Sequence, residues 1–199
     1  MFKRAIYKRL GLLFCISIIG IFWNCKSSDI TDDENYTTDI NKLEMLLEKE
    51  AYSIDIEAAL PFVTASTQQV ANALFLSRTG NTASRVYVGG DGHFIEIKND
   101  SVKGDLPFFG ERRLSGGPYG GRNGGIAFEG LPENFEKSLN KNKRKLEIKF
   151  SISQTGESSE RYDVNLEIFP SKNAVVNINS TYKTSMGYTG NLRLENESQ

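Results

Sequence analysis

The chain is 199 residues long and carries 24 Lys and Arg against 25 Asp and Glu, one His and two Cys. So even a balance excludes a general nucleic-acid binder, which needs a basic excess to neutralise phosphates. A lone histidine, and cysteines only at positions 15 and 25, exclude the usual zinc ligand sets and a thiol nucleophile from the rest of the chain.

Lys3, Arg4, Lys8 and Arg9 precede an apolar run from Leu10 to Trp23, and the first acid is Asp29. A positive start and a short apolar stretch form a secretory signal. The run falls short of the roughly 18 to 20 apolar residues that a spanning helix needs. It ends at Phe22-Trp23-Asn24-Cys25. This resembles the lipobox of bacterial lipoproteins, where a peptidase cuts before a cysteine that carries lipid. Phe22 and Asn24 make the box a loose one. The reading is therefore a lipoprotein signal peptide over 1–24 and lipidation at Cys25; an uncleaved anchor and cleavage after Ser27 are the alternatives. Cleavage removes Cys15 and the four basic residues, leaving five more acids than bases. With Cys25 modified, the domain has no thiol and no disulfide, so packing alone must hold it.

Residues 25–38, which include Asp29, Asp32, Asp33 and Glu34, read as an acidic, flexible tether. Acids just after a lipidated cysteine resemble the signals that take some lipoproteins to the cell surface; a solvated spacer is the equal alternative. Calcium binding by these acids lacks the loop spacing that an EF-hand requires.

A single β-rich domain follows over 39–199. Ile40, Leu43, Leu46 and Leu47 predict one amphipathic helix from Asp39 to Ala51, capped by Thr38 or Asp39. From Tyr52 to Ala58 the apolar period becomes two, and Pro61 ends that strand. Residues 64–85 fit either a short helix or a strand. Phe94 to Ile97, a turn at Asn99-Asp100 and Val102 to Leu106 predict a hairpin. Strands centred on Leu146–Ile152, Tyr162–Ile168 and Ala174–Ile178 alternate cleanly, and Met186 to Leu192 add a last one. Consecutive strands with one polar face make an antiparallel meander. The expected fold is mostly β, bordering on α+β: a sandwich or partly open barrel with the N-terminal helix packed on it.

The segment from Gly110 to Gly130 holds eight of the 18 glycines. It lacks the phosphate-loop and dinucleotide spacings, so it reads as a long irregular loop. Phe108, Phe109, Arg112, Arg113 and Tyr119 on it form a candidate contact surface, because aromatics and arginines dominate recognition. The competing and favoured reading of the same side chains is that they pin the loop to the sheet. His93 stands at a strand start with no serine motif beside it, which reads as structural. The cluster Lys137, Lys141, Lys143, Arg144 and Lys145 reads as a solvated loop guarding a sheet edge; binding to an acidic partner is the alternative.

Asp100-Ser101-Val102, Leu106-Pro107-Phe108-Phe109-Gly110-Glu111-Arg112, Gly117-Pro118-Tyr119-Gly120 and Gly125-Ile126-Ala127-Phe128-Glu129-Gly130 occur in that order. Ile168-Phe169-Pro170 and Met186-Gly187-Tyr188-Thr189-Gly190 follow, while Ala59-Leu60-Pro61 and Gly80-Asn81-Thr82-Ala83 lie upstream. The chain resembles the family called domain of unknown function 4251 from about Lys42 to Arg193. The resemblance implies an exported, often lipid-anchored protein and carries no assigned activity.

The resulting expectation is a non-enzymatic binding or scaffolding module, anchored to the outer membrane by lipid and facing the periplasm or the cell surface. No catalytic residue, metal or cofactor is expected, nor a nucleic-acid partner; the partner would be an envelope protein or glycan. The alternatives are an envelope hydrolase using paired carboxylates and a carrier of a small apolar ligand.

Overall fold

The computed structural model describes residues 34–62, 81–112 and 124–194. By its contacts the chain divides into two compact units, Met1–Thr37 and Thr38–Gln199. Of the first, only the opening turn of the helix is described; the second is the β-rich domain. Cys25, most of the ambiguous 64–85 stretch, Arg113 and Tyr119 lie outside the described residues.

Helix α1 spans Glu34–Leu47. It begins five residues before the predicted start, inside the stretch read as tether, and ends four residues earlier. Residues 34–38 carry no apolar repeat that could have marked that first turn. Ile40 and Leu43 are buried, and Leu46 and Leu47 pack against the core. Ten strands follow: β1 (Ala51–Pro61), β2 (Val86–Tyr87), β3 (Phe94–Lys98), β4 (Ser101–Leu106), β5 (Ile126–Gly130), β6 (Glu133–Asn140), β7 (Lys145–Gln154), β8 (Glu157–Ile168), β9 (Asn173–Ser180) and β10 (Met186–Arg193). All pairings are antiparallel, in the order β5-β4-β3-β1-β10-β9-β8-β7-β6, with the short β2 added to β1.

The predicted helix, hairpin and C-terminal meander are all present, and the expected mostly-β fold is a half-barrel with a helix packed on it. The sheet curls until β5 approaches β7, where the Thr155 N–H donates to the Ala127 carbonyl at 2.9 Å. Alternation drives the curl. On β7 to β10 every second residue is buried, from Leu146 and Phe150 to Val176 and Tyr188, while the others meet water. The concave face is filled by these side chains. Tyr162, Tyr188 and Phe128 are fully buried, and Phe128 meets Phe150 edge-on at 5.9 Å between ring centroids. Each such large side chain contributes roughly 1.5–3 kcal/mol by leaving water.

β1 joins the two halves by pairing with both β3 and β10. Its register against β10 shifts between Ile56 and Ala58, and there the two backbones crowd together. A Cβ on Gly190 would lie 2.2 Å from the Asp55 carbonyl oxygen, so only glycine fits. The basic cluster is not a loop as a whole: Lys137 lies on edge strand β6, and Lys145 opens β7.

Candidate functional site

On β7 the inward-facing row runs Leu146, Ile148, Phe150, Ile152 and then Gln154; on β8 it runs Ile168, Leu166, Val164, Tyr162 and then Glu160. Both rows therefore end in a polar group inside the domain. The turn after β9 supplies the countercharge. Lys183 is fully buried and Glu160 is 1% exposed. The Lys183 ammonium lies 3.1 Å from Glu160 Oε2. It donates to Gln154 Oε1 and Tyr162 Oη at 2.8 Å each, and to the Gly125 carbonyl at 2.9 Å. The Tyr162 hydroxyl itself donates to Gln154 Oε1. The other carboxylate oxygen of Glu160 accepts from Ser180 Oγ at 2.7 Å, and that same Ser180 oxygen accepts the N–H groups of Tyr182 and Lys183. The aromatic faces of Tyr162 and Phe108 stand 5.2 and 5.7 Å from the ammonium. The charge is thus matched, and each ammonium proton has an acceptor.

This cluster holds two separate stretches of backbone. On one side, Thr184 N–H donates to the Glu111 carbonyl at 2.9 Å, Glu111 N–H donates to Thr184 Oγ1 at 3.0 Å, and Arg112 bridges to Lys183. On the other side, Gly125 is held through its carbonyl by Lys183. A Cβ on Gly125 would lie 2.6 Å from the Leu106 carbonyl oxygen, so the chain returns in close contact with the end of β4. The Glu111-Arg112 backbone and the Gly125 carbonyl are therefore held by one residue pair, Lys183-Thr184. In the first stretch, Phe108 packs against the core, whereas Phe109 is 44% exposed and Arg112 is exposed. Of the aromatic pair read as a contact surface, one side chain pins the backbone and the other faces outward. The Pro107 carbonyl is held by Tyr188 Oη at 2.9 Å, and burial pushes that phenol above its usual pKa.

A match to DUF4251, described as a domain of unknown function, covers residues 34–192. The chain belongs to this family. No curated protein matches it. The stretches that carried the DUF4251 resemblance now have a spatial meaning. The Leu106–Arg112 box, the Gly125–Gly130 stretch and the Met186–Gly190 stretch meet around Lys183 and Tyr188.

The other candidates have different fates. Four members of the basic cluster engage carboxylates or carbonyls of the same domain. Lys141 meets Glu44 at 2.8 Å and Arg144 meets Asp39 at 3.4 Å, both on α1. Lys137 donates to the Lys49 carbonyl at 2.9 Å and to Tyr52 Oη at 3.2 Å; desolvation lowers its pKa, and burial pushes Tyr52 up to about 12. Lys145 lies between Glu147 and Glu167, at 2.9 and 2.6 Å. These two acids face each other across β7 and β8 as a convergent carboxylate pair. The Lys145 hydrogen bond holds the Glu147 carboxyl below its usual range. A glycosidase pair needs one carboxyl kept protonated, the reverse of this arrangement. His93 is half-buried at the start of β3, and its carbonyl accepts from the Ile56 N–H at 3.0 Å. Among the described residues no group of three or more His, Cys, Asp or Glu side chains could hold a metal ion, and no helix is long and apolar enough to cross a membrane.

Sequence reasoning missed Lys183, Glu160 and Gln154. Two of them were within reach. Continuing the period-two count past Ile152 and back from Tyr162 puts Gln154 and Glu160 on the buried face. Lys183 sits in a turn, where no periodicity applies.

Proposed function

We propose that this chain is an exported lipoprotein, lipidated at Cys25, whose β domain is a non-catalytic module that binds a protein or glycan of the cell envelope. Its contact surface centres on Phe109 and Arg112. One observation carries the reading: the Glu111-Arg112 backbone that follows Phe109 and the Gly125 carbonyl both stand on the buried Lys183 cluster. Burying an ion pair contributes little net stability compared with an apolar filling, so its best-attested use is to fix one arrangement. A fixed base lowers the ordering cost of recognition, and an exposed aromatic beside an arginine is the composition of binding hot spots. The export segment and the loose box at Phe22–Cys25 support location at the outer membrane.

The test pairs two variants in the native host. Phe109→Ala with Arg112→Ala should leave the unfolding midpoint unchanged and abolish the photo-crosslinks formed from a probe at Glu111. Crosslinks that persist unchanged would assign these side chains no binding role. Cys25→Ser should move the protein from the membrane to the soluble fraction, and wild type that takes up no labelled fatty acid would end the anchor reading.

A further inference from the structure

Away from that surface, a groove of about 800 Å³ opens where α1, the β6–β7 turn, the β8–β9 turn and β10 meet. Four cationic side chains line it: Lys42, Arg85, Lys143 and Arg144. It also holds two carboxylates, and both are engaged. Asp39 is shared by Arg144 at 3.4 Å and Lys42 at 4.0 Å, and Glu57 accepts from Asn191 Nδ2 at 2.5 Å. Arg85 and Lys143 are different. Neither has a carboxylate within ion-pair distance among the described residues. Arg85 is half-buried, and its guanidinium lies 5.2 Å from the centroid of the Tyr87 ring. An aromatic face holds a guanidinium in place without neutralising it, so its charge and its planar fork of donors stay available. Lys143 is fixed through its backbone, its N–H donating to Asn140 Oδ1 at 3.1 Å.

The floor and walls add to this. Thr189 also lines the groove, and its Oγ1 is buried without a hydrogen-bond partner among the described residues. Asn173 and Ser171 offer polar edges, and Phe169 and Pro170 offer an apolar wall.

We propose that this groove binds a phosphorylated saccharide. Four cations against two carboxylates leave a surplus of two positive charges, which matches the roughly −1.5 to −2 of a phosphate monoester at neutral pH. The bidentate fork of Arg85 suits phosphate oxygens. The asparagines and Ser171 suit sugar hydroxyls, and the Phe169 wall suits the C–H face of a pyranose. The volume lies within the usual range of small-molecule sites.

The experiment is calorimetric titration of the full-length chain in mild detergent with glucose 6-phosphate, glucose and inorganic phosphate. Glucose 6-phosphate should saturate. Its affinity should fall about tenfold or more in Arg85→Gln/Lys143→Gln and fall with added salt. It should hold in Lys103→Gln, a cation of β4 paired instead with Glu129. No saturation below about 10 mM, or binding within about twofold of wild type in the double variant, would overturn the site. Inorganic phosphate binding as tightly as glucose 6-phosphate would overturn the saccharide half. Phosphatidylcholine vesicles carrying a phosphorylated glucosamine lipid give the second arm. Tighter binding there assigns the membrane-borne source, and equal or weaker binding assigns the soluble one.

Discussion

Two lysines are almost wholly removed from water in this domain, and they do different work. Lys183 closes a cluster drawn from β7, β8, the β9–β10 turn and Gly125, with the buried Glu160 as a carboxylate partner. Lys145 sits at the start of β7 with Glu147 on its own strand and Glu167 on the next, both partly wet. The first ties together segments distant in sequence and holds the family's motif stretches at one point. The second stitches two adjacent strands. Burial of a cation therefore says little by itself; what differs is how far apart in the chain its partners lie and whether water can replace them.

Lys183→Ala is the sharpest way to test that contrast. It leaves Glu160 charged, buried and without its cation, which costs about 3–5 kcal/mol when a buried pair is broken from one side. Urea unfolding should show a loss of that order. Lys183→Met with Glu160→Gln should recover a large part of it, because no uncompensated charge remains. Photo-crosslinks from Glu111 should weaken in both, since the fixed base under Phe109 is lost. A double variant as stable as wild type, with unchanged crosslinks, would make the cluster a replaceable core feature.

Lys145→Ala should cost less, about 1–2 kcal/mol, because Glu147 and Glu167 lie near enough to solvent for water to take over part of the interaction. The residual cost comes from two like charges left opposite each other on β7 and β8. A loss equal to that of Lys183→Ala would erase the distinction between the two sites.

The same contrast explains how much of the molecule was legible. β7, β9 and β10 were read within a residue or two, and β8 from Tyr162 onward though it begins at Glu157, because one face is wet and the other dry, so burial imposes a period of two on the sequence. Helix α1 was legible from Ile40, Leu43 and Leu46, and its first turn was not, since Glu34-Asn35 and Thr37-Thr38 bury nothing. β6 escaped because Glu133 to Lys137 are exposed or nearly so on both faces, as suits an edge strand with a register shift. β5 is short and adjoins a glycine-rich stretch that masks its pattern. That β1 lies between β3 and β10 rests on non-local pairings, the one with β10 across more than a hundred residues, which no local pattern carries. For the site, the sequence offers Phe108 and Phe109 as an undivided pair, and only the structure separates the inward ring from the outward one. Within the basic cluster, Lys141 and Arg144 pair with Glu44 and Asp39 of the chain's own helix, contacts across the fold that no local pattern carries.

The smallest effect lies in the pH dependence of the Lys145 site. The Lys145 hydrogen bond is the main cause that lowers the Glu147 pKa from its ordinary 4.5, with Coulombic attraction to Lys145, the Asn140 amide and the Lys149 charge adding to it against desolvation. A carboxyl whose folded pKa lies below its unfolded value stabilises the fold fully above the unfolded pKa. That contribution is lost as pH falls from about 4.5 through the depressed folded value. Lys145 has the opposite sign. Burial opposes its charge, but the hydrogen bonds to Glu167 and Glu147 outweigh it and raise the pKa above 10.5, so its contribution is complete below 10.5 and disappears only at still higher pH. Between pH 7 and pH 3, then, Glu147 alone of this pair should contribute to acid destabilisation. In Glu147→Gln the urea midpoint should fall less steeply over that interval than in wild type, while the two proteins keep parallel profiles from pH 6 to 9. An acid limb of unchanged slope in Glu147→Gln would mean that the Lys145 hydrogen bond does not favour the charged carboxylate in solution, and the stitching role assigned to this lysine would then fall.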